Sequence, residues 1–201
     1  MKPAILVTPI AKTIPEVNGT AYIGVDAGSL KILEKKLPLA FAVGDFDSME
    51  TQDFEQLKKH TVCYSHPVQK DETDSELAIQ LAYQKGYGPL TLWGSLSGRM
   101  DHTLANIRLL MYRFPDLILQ DETQKIICLK KGRHRLKNQY THCSFFAIET
   151  SKVSFSGLLY ELKEKEVYVE DIYMVSNSFV SEIAEVVVHS GSLICIQSNE
   201  R

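Results

Sequence analysis

The first half of the chain alternates short unbroken apolar runs with stretches of helical spacing. Residues 4–7 and 21–25 read as buried strands, the second running into Asp26-Ala27-Gly28-Ser29. Leu30, Ile32, Leu33 and Leu37 then form a helical stripe that stops at Pro38. Residues 41–43 are the next strand, and 51–60 a short polar-faced helix. A further strand is predicted over 62–65, a helix carrying Leu77, Ala78, Leu81 and Ala82, a strand over 89–93, and a helix carrying Leu104, Ile107, Leu110 and Met111. Strand–helix alternation implies parallel pairing through right-handed crossovers, with the loops at the carboxyl ends of the strands gathered on one rim.

Near residue 120 the pattern changes. Short β-prone segments recur at 126–129, 144–148, 153–155, 166–169, 185–189 and 193–197, separated by Lys131-Gly132, Lys137-Asn138 and Ser190-Gly191-Ser192. Ser190-Gly191 reads as a hairpin turn. The expected fold is therefore a mostly parallel three-layer α/β domain over residues 1–122, followed by a smaller antiparallel β-sandwich over 123–201.

Composition narrows the function. With 201 residues and 44% hydrophobic content the chain can bury a sizeable core. A net charge of −3 and one short basic cluster, Lys130-Lys131-Gly132-Arg133-His134-Arg135, argue against nucleic acid, and the cluster reads as a solvated turn. No stretch approaches a membrane span, and the apolar run after Met1-Lys2-Pro3 is too short for a signal peptide. Cys63, Cys128, Cys143 and Cys195 form no C-x-x-C pair, so buried thiols in a cytosolic protein are expected rather than disulfides or zinc ligands. Trp93 reads as core at a strand end.

The candidate chemistry lies at the predicted strand ends. Gly44-Asp45-Phe46-Asp47-Ser48 places two carboxylates past an apolar run, which suits a hard divalent cation such as Mg²⁺; an Asx-type turn with a cap at Ser48 is the alternative. Asp26 falls on the same rim. In Lys70-Asp71-Glu72-Thr73-Asp74, Thr73 and Glu76 explain themselves as a capping box. Lys70, Asp71 and Asp74 exceed what a cap requires and suit phosphate and metal. In Gly98-Arg99-Met100-Asp101-His102, the arginine offers a planar fork to phosphate oxygens and Asp101 can orient it or accept a proton. His102 is either a general base or a structural hydrogen-bond partner.

These four motifs, in this order and at these separations, resemble the motif series of the thiamine pyrophosphokinase family. The resemblance is close over about residues 20–110 and looser through Gly157-Leu158-Leu159-Tyr160-Glu161-Leu162 and Ser176-Asn177. Ala27 and Ser97 stand where many members have glycine, and Leu39 where aspartate is frequent. The resemblance implies an α/β domain followed by a β-sandwich, assembled as a homodimer, transferring a diphosphoryl group from ATP to thiamine with release of AMP. It implies Asp45 and Asp47 as principal Mg²⁺ ligands, with Asp26 or Asp71 completing the shell. Lys70, Arg99, Gly98 and Ser48 would serve the nucleotide, Asp74 would orient the alcohol or a second metal, Asp101 would steer Arg99 or accept the proton, and Ser176 and Asn177 would serve the vitamin. The rival readings are a diphosphotransferase for another hydroxyalkyl heterocycle such as a pterin, a non-catalytic thiamine or nucleotide binder, and a metal-dependent phosphohydrolase.

Overall fold

Short apolar runs flanked by turn residues become strands that a parallel sheet buries on both faces. The computed structural model describes residues 1–67, 69 and 71–199. It divides into two units, Met1–Leu109 with Asp116–Glu122, and Leu110–Pro115 with Thr123–Arg201.

The first unit holds strands β1 (Lys2–Val7), β2 (Ala21–Val25), β3 (Leu39–Gly44), β4 (Cys63–Ser65), β5 (Tyr87–Trp93) and β6 (Ile118–Gln120). Its helices are α1 (Gly28–Glu34), α2 (Thr51–His60) and α3 (Asp74–Gln84), and α4 (Met100–Tyr112) begins in it. All pairings are parallel, in the order β6-β5-β1-β2-β3-β4. Every residue of β2 is buried, as a strand sandwiched between helix layers requires. Right-handed crossovers send α1 and α2 to one face; the return crossover from β4 to β5 sends α3 across β1, β2, β3 and β5 on the other. Helix α1 can begin against β1 because its first residue has no side chain: a Cβ on Gly28 would lie 2.1 Å from the Val7 carbonyl oxygen.

The second unit is antiparallel. Its strands are β7 (Gln124–Lys137), β8 (His142–Ala147), β9 (Ser151–Ser156), β10 (Leu162–Val167) and β11 (Ile183–Ser198). Strand β11 pairs with β7 along its length; its other edge pairs first with β9 and then with β8. One core, with Phe145 and Phe155 at its centre and Cys143 and Cys195 beside them, serves both halves. The two thiols lie 3.6 Å apart, fully buried and unoxidised, and contact with Cys143 together with burial pushes the Cys195 thiol well above its ordinary range.

Three expectations are corrected. Ser190-Gly191 is not a hairpin turn: it lies inside β11, where the register against β7 shifts between Val188 and Ser192 and Gly191 takes φ +76°. The turn chemistry is present, but both flanks find the same partner, so the strand bulges and continues. For the same reason the Lys130–Arg135 cluster is strand rather than turn, with Arg133 paired to Glu185 across the ladder. On α4 the predicted apolar stripe holds in part: Leu110 is buried and Ile107 and Met111 half-buried, but Leu104 is exposed, and Asn106 and Leu109 are buried in addition. Strand β6 lies in a stretch where no strand was expected.

Gly28→Ala should lower stability by about 1–3 kcal/mol, because the new methyl meets backbone rather than a yielding side chain. A chemical-denaturation midpoint unchanged from the parent would refute that packing argument.

Candidate active site

The strand order reverses between β1 and β5, since β1 leads outward to β2 and β5 leads the opposite way to β6. Beyond the carboxyl ends of strands at such a point nothing covers the sheet, and a crevice opens. A cleft of about 250 Å³ lies there. The ends of β1 and β2 supply Thr8, Ile10 and Asp26, and the start of α3 supplies Thr73 and Asp74. The loop after β5 and the first turns of α4 supply Ser95, Ser97, Arg99, His102 and Asn106.

Asp26 follows β2 in a left-handed conformation, φ +46°. Ser48 donates its hydroxyl to Asp26 Oδ2 at 2.9 Å, while Oδ1 is buried and accepts no hydrogen bond. Burial, aided by repulsion from Asp45 and Asp74, pushes the Asp26 carboxyl above the usual range against the opposing pull of Ser48. Gly44 lets β3 approach this residue, since a Cβ there would stand 3.0 Å from the Asp26 Cα. The pair that follows is held by the residue between its members. Phe46 is buried and stacks on Phe54 of α2, 4.8 Å between ring centroids, which fixes Asp45 half-buried and Asp47 exposed on either side. The Asp47 N–H donates to Asp45 Oδ1 at 3.3 Å, so the Asx-type turn is present, but Ser48 caps no helix: α2 begins at Thr51 after Glu50, and the Ser48 hydroxyl goes to Asp26.

Thr73 caps α3, accepting from the Glu76 N–H at 3.2 Å. That cap places Asp74 in the first turn, facing the cleft. Asp71 is exposed and does not line the cleft. Lys70 lies outside the described residues.

Arg99 and Asp101 form a forked pair, Nε to Oδ1 at 3.1 Å and Nη2 to Oδ2 at 2.6 Å, which holds the Asp101 carboxyl below its ordinary range. Arg99 lines the cleft and Asp101 braces it from outside. The His102 N–H donates to Asp101 at 3.0 Å, and its ring lines the cleft. Gly98 adopts φ +86° beneath Ile10. Trp93 is buried, its indole N–H donating to the Thr13 carbonyl at 2.6 Å.

Thr8, Ser95 and Asn106 form the cleft's buried polar lining, and sequence reasoning passed over all three. Thr8 could have been found as the first polar residue beyond β1, at a strand end by the switch point. Asn106 lies one turn after His102 on α4, a spacing that places both on one helix face.

Ser176 and Asn177 belong to the second unit. The Ser176 N–H donates to Ser144 Oγ at 2.9 Å, at φ +56°, and the residue is exposed. Asn177 is buried with its amide used internally, donating to the Tyr160 carbonyl at 2.8 Å and accepting from the Tyr160 and Ser178 N–H groups. It helps line a small pocket with Phe155, Tyr160, Tyr173 and Met174, whereas Ser176 does not.

Among the described residues no cluster of three or more His, Cys, Asp or Glu side chains is preassembled around a metal position. The donor chemistry nonetheless fits a hard divalent cation. Asp26 carries an unpartnered buried oxygen, and it feels the charge of both Asp45 and Asp74.

Two family models match the chain: thiamin pyrophosphokinase, catalytic domain, over residues 17–120, and thiamin pyrophosphokinase, vitamin B1 binding domain, over residues 133–195. The chain is 27% identical over 200 residues to thiamine pyrophosphokinase of Bacillus subtilis (strain 168), spanning 93% of this chain and 94% of that one. The solved structure of a thiamin pyrophosphokinase family protein from Enterococcus faecalis superposes with a TM-score of 0.90 at 28% identity, covering 99% of this chain and 100% of that chain. Thiamine pyrophosphokinase from Bacillus subtilis superposes with a TM-score of 0.88 at 25% identity, with full coverage of both chains.

An acid whose pKa is raised by folding binds its proton more tightly in the native state, so stability is highest at low pH. It falls as pH rises through the ordinary carboxylate range to the raised value. Asp26→Asn should therefore raise the melting temperature of the metal-free protein at neutral pH, with the gain shrinking as the medium is acidified. Melting curves recorded across the acid range check this, and a variant less stable than the parent at neutral pH would contradict it.

Proposed function

The chain belongs to the thiamin pyrophosphokinase family, and from that membership we propose how its residues divide the reaction. The enzyme transfers a diphosphoryl group from ATP to thiamine. The hydroxyl oxygen of thiamine bonds to the β-phosphorus. The bond from that phosphorus to the oxygen bridging to the α-phosphate breaks, its electron pair leaves on AMP, and the hydroxyl proton passes to a carboxylate. Such transfers depend on positioning and on neutralising charge.

The observation that carries the assignment is that Asp26, Asp74 and Arg99, drawn from three separate segments, line one cleft. Arg99, held at two nitrogens by Asp101, keeps Nη1 for a phosphate oxygen and stabilises the charge that accumulates there. Asp74 orients the acceptor hydroxyl, and Asp101 sets the arginine. Lys70, from the family resemblance, grips a phosphate. Asp45 and Asp47 are the principal Mg²⁺ ligands, with Asp26 or Asp71 completing the set. A bound magnesium ion would offset the triphosphate charge and relieve the repulsion among these carboxylates.

The second unit supplies the vitamin site. Ser176 contacts thiamine, and Asn177 shapes the site by tying Tyr160 in place. Homodimer formation rests on the family resemblance; Leu159, Tyr160, Val169, Ile172, Tyr173 and Val180 of this unit are exposed apolar side chains available to such a contact. The pterin and non-catalytic alternatives are not favoured, since the second unit matches the vitamin B1 binding description.

Incubation with ATP, Mg²⁺ and thiamine should yield AMP and thiamine diphosphate in equal amounts; ADP or free phosphate in their place would exclude the assignment. Asp47→Asn should lower turnover on the order of a hundredfold with the fold intact, because this exposed carboxylate contributes charge and no packing. Ser176→Ala should raise the KM for thiamine and leave that for ATP unchanged; the reverse pattern would move the residue to the nucleotide.

A further inference from the structure

The polar lining of the cleft is graded, with the half-exposed hydroxyls of Thr73, Ser75 and Ser97 between two extremes. Arg99 and His102 are exposed and Asp26 and Asp74 half-exposed, so the charged groups form a rim. Thr8, Ser95 and Asn106 are neutral and buried, at 5%, 1% and 7% exposure, and form a floor.

The floor has a definite hydrogen-bond polarity. The Thr8 hydroxyl donates to the Gly94 carbonyl at 2.8 Å, and the Ser95 hydroxyl donates to the Leu92 carbonyl at 2.9 Å. Asn106 turns Nδ2 to the Ser95 carbonyl at 3.3 Å, which leaves Oδ1 as the end of the amide available to the cleft. Both hydroxyls send their protons inward to the backbone and leave oxygen lone pairs to a ligand, while the Asn106 amide keeps its oxygen and its second N–H. A buried neutral surface in which acceptors outnumber donors serves phosphate oxygens, themselves only acceptors, poorly and rewards a ligand that brings N–H or O–H groups.

We propose that this floor recognises the nucleoside end of the phosphate donor, with Asn106 Oδ1 accepting a hydrogen bond from the exocyclic amine of the purine or from a ribose hydroxyl. The polyphosphate then lies along the charged rim. Asn106 is a specificity residue on this reading, and Thr8 and Ser95 shape the loop that presents it. The proposal rests on the diphosphotransferase assignment and adds to it the part of the cleft that discriminates among nucleotides.

The test uses the intact enzyme with thiamine and four donors: ATP, purine riboside triphosphate (which lacks the amine), 2′-deoxy-ATP and 3′-deoxy-ATP. The wild type should lose at least about tenfold in kcat/KM with whichever analogue lacks the recognised donor, because the buried acceptor is then left unpaired. The analogue affected identifies the amine or the hydroxyl. Asn106→Ala should abolish that discrimination, raising the KM for ATP toward the value for the impaired analogue while leaving the KM for thiamine unchanged. A merely structural role would slow all four donors equally.

The proposal is overturned if the wild type uses all four donors equally well, or if Asn106→Ala raises the KM for thiamine instead. The wild-type comparison stands even if the variant does not fold. If no donor yields thiamine diphosphate, it is the diphosphotransferase assignment that fails, and calorimetric affinities for the same four nucleotides still decide the role of the floor.

Discussion

A carboxylate drawn partly out of water beside two others opposes folding, and the cleft of this protein is arranged around such a group. Asp26 is held at the end of β2 by one hydroxyl, with one oxygen unsatisfied and the charges of Asp45 and Asp74 acting upon it. Nothing in packing rewards that arrangement. The surrounding structure enforces it: β2 is buried along its length, Gly44 lets the next strand come close, and Phe46 is anchored against α2. Stability generated in the core is thereby spent on holding like charges near one another at the end of the sheet.

The two linings of the cleft extend this logic. Charge is kept at the rim, where water still screens the protein's own repulsions. Neutral acceptors are kept at the floor, where an ion would be costly but a fixed dipole is not. Both follow from topology. The floor is built from the ends of β1 and β5, the two strands between which the sheet changes direction, together with Asn106 of α4. The rim is built from the loops and helix starts that diverge from them.

Much of this was legible in the residues. The unbroken apolar runs marked β1, β2, β3 and β5, and the spacing after Thr73 marked α3 with its cap. The four motifs named the family before any geometry was known. What could not be read was the consequence of pairing. Lys131-Gly132 and Ser190-Gly191 carry turn chemistry, yet the long ladder between β7 and β11 runs through both, because local preference is weaker than a ladder of thirteen residue pairs. Helix α4 hid its inward face for a related reason. A polar residue, Asn106, occupies a buried position beside the Ser95 carbonyl, so the apolar stripe alone found only part of the buried face. Within the acidic motifs, residue type identified the cluster but not which members meet: Asp74 faces the same cleft as Asp26, and Asp71 does not.

The length of β11 has a consequence for how the second unit comes apart. Its two halves pair with different neighbours on one edge, yet both are laced to β7 on the other and feed one core. Neither half can fray without stripping the shared backbone, so the aromatic pocket near Asn177 and the strands remote from it rise and fall in a single cooperative melting event.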